Sequence, residues 1–210
     1  MLCGRLTRDS ARNRERWAQD RSPRLKENPE TRLNQQEEID WYFQQQEAKL
    51  GKAYLNELDD RIEKNQTLKE LSPDTRIVVC MPVAAAYEAD NIYNTLRLYA
   101  QQEGDTLSET AILMNVNWRE TDDAAAVQRT MAEIERARAD FPGLNVALFT
   151  KEWSKEFIES REGRLYGAVV KELNDTALRA IQRASPRGEV FLLTNDADAR
   201  GMSKRYLQSL

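Results

Sequence analysis

From Thr75 onward the chain alternates short apolar runs with longer amphipathic ones. The runs IVVCMPV (77–83), AILMNV (111–116), LNVALFT (144–150) and VFLLT (190–194) are compact and partly β-branched. Runs of this kind read as buried strands. Between them, apolar residues recur at helical spacing. Ile92, Leu96 and Tyr99 form one stripe, and Val127, Met131 and Ile134 a second. Tyr166, Val169, Leu173, Ala177, Ile181 and Ala184 form the third and strongest. Strand–helix alternation predicts an α/β fold, a mostly parallel sheet with helices on both faces. Ser72, Pro73 and Asp74 punctuate the boundary before the first strand.

Residues 35–71 carry a different pattern. Ile39, Tyr42, Phe43, Leu50, Tyr54, Leu58 and Ile62 follow a helical stripe among Gln, Glu and Lys, with Gly51 weakening the middle. This predicts an amphipathic helical extension, packed on the domain or on a second copy of the chain. Residues 1–34 hold nine Arg/Lys and five Asp/Glu with few apolar positions. That composition predicts a disordered, Arg-rich arm. The alternative is an interaction tail for RNA or an acidic surface, but no motif supports it.

Composition narrows the chemistry. The 210 residues include 31 basic and 35 acidic side chains, for a net charge of −4. This balance argues against general nucleic-acid affinity. Cys3 and Cys80 lie in unlike surroundings, one polar and one apolar, so a disulfide is not expected and a reducing, cytoplasmic setting fits. No apolar stretch approaches the roughly 18 residues of a membrane span. Histidine is absent, which excludes Ser-His-Asp triads, Cys-His pairs and histidine zinc sites. Catalysis would rest on carboxylates, lysine, arginine, backbone dipoles or an oxygen-bound metal.

In parallel α/β sheets, ligands bind at the carboxyl ends of the strands. Here those ends hold residues 82–88, 115–120, the Thr150 region and 194–198. Two carboxylates, Asp196 and Asp198, follow the last apolar run directly. Neither a G-x-G-x-x-G nor a G-x-x-x-x-G-K-[ST] loop is present, so a phosphate would need another partner. Mg²⁺ or Mn²⁺ on the two aspartates could supply it.

Two segments also resemble a known family. TRIVVCMPVAAAYEADNIYNTLRLYAQQ is similar to the opening of family 2 glycosyltransferases of the GT-A fold, with Pro82, Glu88, Asn91, Ile92, Thr95 and Leu96 in the matching places. VVKELNDTALRAIQRASPRGEVFLLTNDADA resembles the family's later run, with Lys171, Asn174, Asp196 and Asp198 in place. The likeness covers residues 75–210. It implies a nucleotide-diphosphate sugar donor lying across the strand ends. Pro82 and Glu88 would face the base and ribose. Asp196 would lie near the ribose or the metal, and Asp198 would bind the divalent metal that bridges the phosphates. Lys171, or Arg164 before it, would add positive charge at the diphosphate. The acceptor stays open, with a glycan or a lipid-linked sugar as candidates.

The chain departs from that pattern in three places. The loop between Pro82 and Asn91 is about two residues longer than the common form. Asn115 and Asn117 stand where the family often has base-holding aspartates, and they read equally as a strand-end turn. Only twelve residues, 199–210, follow the second aspartate, where the family's catalytic base and acceptor site would come. The domain is therefore expected to be incomplete at its C-terminus. Three other readings compete. One is a non-catalytic nucleotide-binding α/β module. Another is a haloacid-dehalogenase-like phosphatase, whose D-x-D also follows a buried strand. The third is a nucleotidyltransferase, which normally opens with a Gly-rich loop.

Overall fold

A computed structural model of the protein describes residues 34–160 and 165–210. The expectation for the Arg-rich arm falls almost wholly outside the described residues, as does Arg164.

Four strands form one parallel sheet: β1 (Ile77–Ala84), β2 (Thr110–Arg119), β3 (Asn145–Trp153) and β4 (Phe191–Thr194). Their order across the sheet is β3-β2-β1-β4. Each apolar run of the sequence became a strand: β1 and β2 are central and buried on both faces, while β3 and β4 form the two edges and are partly exposed. The strands alternate with helices. Among the described residues these are α1 (Gln35–Leu50), α2 (Lys52–Glu63), α3 (Gln66–Lys69), α4 (Ile92–Ala100), α5 (Ala124–Asp140), α6 (Lys155–Ser160) and α7 (Tyr166–Ala184).

The helices divide between the two faces. The chain steps from β1 to β2 to β3 in one direction, then returns past β1 to lay down β4. Parallel crossovers share one hand, so reversing the direction of travel sends the returning helix to the opposite face. Ile77, Val79, Met81, Ile112 and Met114 accordingly pack with Ile92, Leu96 and Tyr99 of α4 and Ile134 of α5. Val78, Cys80, Ala111 and Leu113 pack with Leu173, Ala177 and Ile181 of α7. Cys80 is a free thiol within β1, and burial pushes its pKa up to about 12.

The amphipathic segment is three helices rather than one. Gly51 adopts a φ of 84° and a ψ of 164° between α1 and α2, a backbone state essentially reserved for glycine. Its break folds the segment back on itself. Ile39, Phe43, Leu55, Leu58 and Ile62 all enter the core under α7, while Leu50 of the same stripe stays exposed.

Candidate functional site

The reversal of strand order lies between β1 and β4, and ligands of open α/β sheets bind in the crevice at such a point. Local chemistry ends the strand pairing at that point. The Cys80 carbonyl accepts from the Asn195 N–H at 3.0 Å. The even positions of β1 therefore turn their main-chain groups toward β4. Pro82 is the next such position, and it has no N–H to give. Pairing between β1 and β4 ends at Cys80 and Thr194, and the two chains part beyond it.

Each parting loop carries carboxylates. After β1, the Tyr87 and Glu88 N–H groups both donate to the Ala84 carbonyl, at 2.8 and 3.1 Å. This tight turn leads into α4 and leaves Glu88 half-buried. After β4, Asn195 and Ala197 turn inward while Asp196 and Asp198 stay exposed. The two loops are electrostatically coupled. The Glu88 carboxyl is raised above its ordinary pKa, first by burial, then by the charge of Asp198 and more weakly by that of Asp196. Neighbouring Asn91 acts in the opposite sense. One Glu88 carboxylate oxygen is buried without a hydrogen-bond partner.

Buried hydroxyls on α4 and α5 anchor both loops. The Thr130 hydroxyl donates to the Ala85 carbonyl at 2.6 Å, and the Thr95 hydroxyl donates to the Ala197 carbonyl at 2.6 Å. The Asn195 side chain donates to the hydroxyls of Tyr99 and Tyr206.

Asn115 and Asn117 belong to β2 itself, not to a turn after it. Asn115 sits across from Pro82 on β1 and Phe149 on β3. Asn117 donates to the Val83 carbonyl at 2.9 Å, a bond that ties β2 to β1. Asn115 is fully buried, and neither its amide nitrogen nor its amide oxygen has a partner. Buried polar groups are nearly always satisfied, so this amide is the clearest unmet hydrogen-bonding demand near the strand ends. Pro82 is buried within β1.

Lys171 is engaged by other groups. Its ammonium binds Asp175 one turn along α7 and donates to Gln46 of α1 at 3.0 Å. Those contacts account for its charge without a phosphate. Asn174, three residues on, does reach the β4 end, where its amide oxygen accepts from the Thr194 hydroxyl at 3.5 Å. The anchoring residues Thr130 and Asn195 escaped the reading of the sequence, and Tyr99 entered it only as an apolar position of a helical stripe. Thr95 entered it only as one of the residues matching the family's opening segment, since a threonine on an apolar helix face carries no local sign of the carbonyl it will meet.

The donor set can be tested against a divalent cation. Among the described residues, no group of three Cys, Asp or Glu side chains could hold a metal ion alone. Asp196 and Asp198 are exposed carboxylates on a pinned loop, with a third acidic group nearby. Hard oxygen donors of this kind suit Mg²⁺ or Mn²⁺, which complete their shells with water and phosphate oxygens. The residues fit a cation brought in with a phosphorylated ligand.

None of the helices of the described residues is long and apolar enough to cross a membrane. No protein-family model matches the chain, and comparison with curated proteins finds no significant match.

Proposed function

We propose that the carboxyl edge between β1 and β4 binds the diphosphate of a nucleotide-activated sugar with a divalent cation, as the donor site of a glycosyltransferase resembling family 2. The observation that carries this reading is the pairing of loops at the switch point. Glu88 follows β1, Asp196 and Asp198 follow β4, and the charge of one loop is felt in the other.

Asp196 and Asp198 would hold the cation by their free carboxylate oxygens. When bound, the cation supplies Lewis-acid stabilisation of the charge that grows on a leaving nucleoside diphosphate. The chain's own residues do the rest. Pro82 keeps the strands apart so that the ligand reaches the sheet edge. Asn115 offers one donor and one acceptor side by side, a pattern that suits the hydrogen-bonding edge of a base. Thr95 and Thr130 keep the two loops from yielding when the ligand enters.

Calorimetry of the whole chain with UDP and GDP, with Mn²⁺ and with EDTA, tests the proposal. Nucleotide binding that requires Mn²⁺ is the expected result. Equal binding in EDTA, or none under either condition, overturns it.

A further inference from the structure

We infer that Thr95 of α4 is a positioning residue for the Asp196–Asp198 pair, acting through the carbonyl of Ala197 between them. The inference rests on the donor-site reading above and extends it to a residue that touches neither nucleotide nor metal.

The geometry is specific. Thr95 is fully buried, and its hydroxyl reaches Ala197 across 102 sequence positions at 2.6 Å. The Ala197 side chain is itself in the core, 1% exposed, among the residues that pack with α4. The loop therefore alternates. Asn195 is tied inward, Asp196 points out, Ala197 is tied inward and Asp198 points out. Two anchors on α4, four residues apart on one helix face, make this alternation. Thr95 takes the Ala197 carbonyl and Tyr99 takes the Asn195 amide. Both carboxylates then leave a backbone that cannot rotate freely.

The same helix begins directly after the Glu88 turn, with its Ile92 N–H bonded to the Glu88 carbonyl at 3.3 Å. One rigid element thus sets the separation of the two acidic loops. A hydroxyl is the group required at position 95. It donates to a carbonyl that has no other partner among the described residues, and an apolar side chain of the same shape would leave that carbonyl unsatisfied. Supporting groups behind metal ligands act in this manner, by fixing ligand orientation.

The test uses Thr95→Val, which keeps the shape, and Thr95→Ser, which keeps the hydroxyl. Two measurements are made on the full chain. The first is backbone amide exchange in EDTA, which reports loop opening without metal. The second is Mn²⁺ affinity in the presence of UDP or GDP. For T95V, exchange at the Asn195 amide, which the Cys80 carbonyl holds, is expected to speed up and Mn²⁺ affinity to fall about 10-fold, the usual effect of losing a group that orients a metal ligand. T95S is expected to match the wild type in both. If T95V retains wild-type exchange and affinity, the inference is wrong while the donor-site reading stands. If the wild type binds no Mn²⁺ with either nucleotide, the donor-site reading fails and takes the inference with it. Should T95V not fold, Tyr99→Phe removes the other α4 anchor at nearly constant volume. Unchanged Mn²⁺ affinity in that variant would equally overturn the inference.

Discussion

The Tyr42 hydroxyl of α1 donates to the Asp175 carboxylate of α7 at 2.5 Å, joining residues 133 positions apart. The Tyr54 hydroxyl of α2 and the Lys171 ammonium bind the same carboxylate. Asp175 has a side chain only 3% exposed, so these three donors are what make its burial tolerable. Both tyrosines are pushed far above their usual pKa, by burial first and by Asp175 second. The N-terminal helices are thereby locked to the helix that reaches the β4 edge.

Removing this carboxylate should strip three donors of their acceptor at once. Asp175→Ala is expected to destabilise the chain by about 3–5 kcal/mol, the cost of breaking a buried ionic cluster from one side. Asp175→Asn should cost less, because the amide oxygen still accepts from one hydroxyl. Urea unfolding followed by circular dichroism measures both. A loss below about 1 kcal/mol in the alanine variant would show that the cluster is not holding the helices.

Leu58 probes the apolar side of the same interface. It is fully buried between α2 and the core under α7. Leu58→Ala is expected to lose about 2–5 kcal/mol, the range for a leucine cavity in a close-packed core. The same substitution at exposed Leu50 should fall within about 0.5 kcal/mol of the wild type.

Asn115 should separate binding from stability. Its amide is buried without partners, a burden of about 1–3 kcal/mol. Asn115→Leu is therefore expected to raise the melting temperature of the free chain. If the amide meets a base, the same variant loses the extra stabilisation that Mn²⁺ and nucleotide confer on the wild type. A variant that is less stable when free would assign Asn115 to the fold instead.

Glu88 gives the pH test. Its folded pKa is raised above the unfolded value, so the folded state holds the proton more tightly than the unfolded chain. The carboxyl's favourable contribution is present at low pH and is lost as pH rises through the folded pKa. Glu88→Gln should thus melt above the wild type at about pH 7. The two should converge below about pH 4, where the carboxyl is protonated in both states. A gap that widens toward acid would reverse the assignment.

Asp198 is exposed beyond the end of β4 and close enough to Glu88 for its charge to be felt there. Asp198→Asn relieves that repulsion, so the free variant should be as stable as the wild type or slightly more so. It should also lose most of the thermal shift produced by Mn²⁺ with UDP or GDP. A ligand-induced shift that survives intact would remove Asp198 from the proposed site.

What the sequence determined by itself was local. The four strands followed from apolar runs too short for helices, and the parallel sheet followed from the helical stripes between them. The Asp196–Asp198 pair was visible because it abuts a strand, and strand ends are where α/β sheets expose polar groups. Tertiary structure decided the partners. The resemblance assigned Lys171 to the diphosphate, yet in the fold Asp175 four residues away binds it, because a buried carboxylate needs a partner. Asn115 and Asn117 look alike in sequence, but one bonds Val83 and the other is left unmet, since each amide faces what the neighbouring strand presents. The stripe of residues 35–71 fitted an internal or an external surface equally well. Gly51 turned it inward, and the Tyr42, Tyr54 and Asp175 cluster closed it. Hydrogen bonds spanning a hundred residues, such as Thr95 to Ala197, leave no local periodicity, so only the folded chain could reveal them.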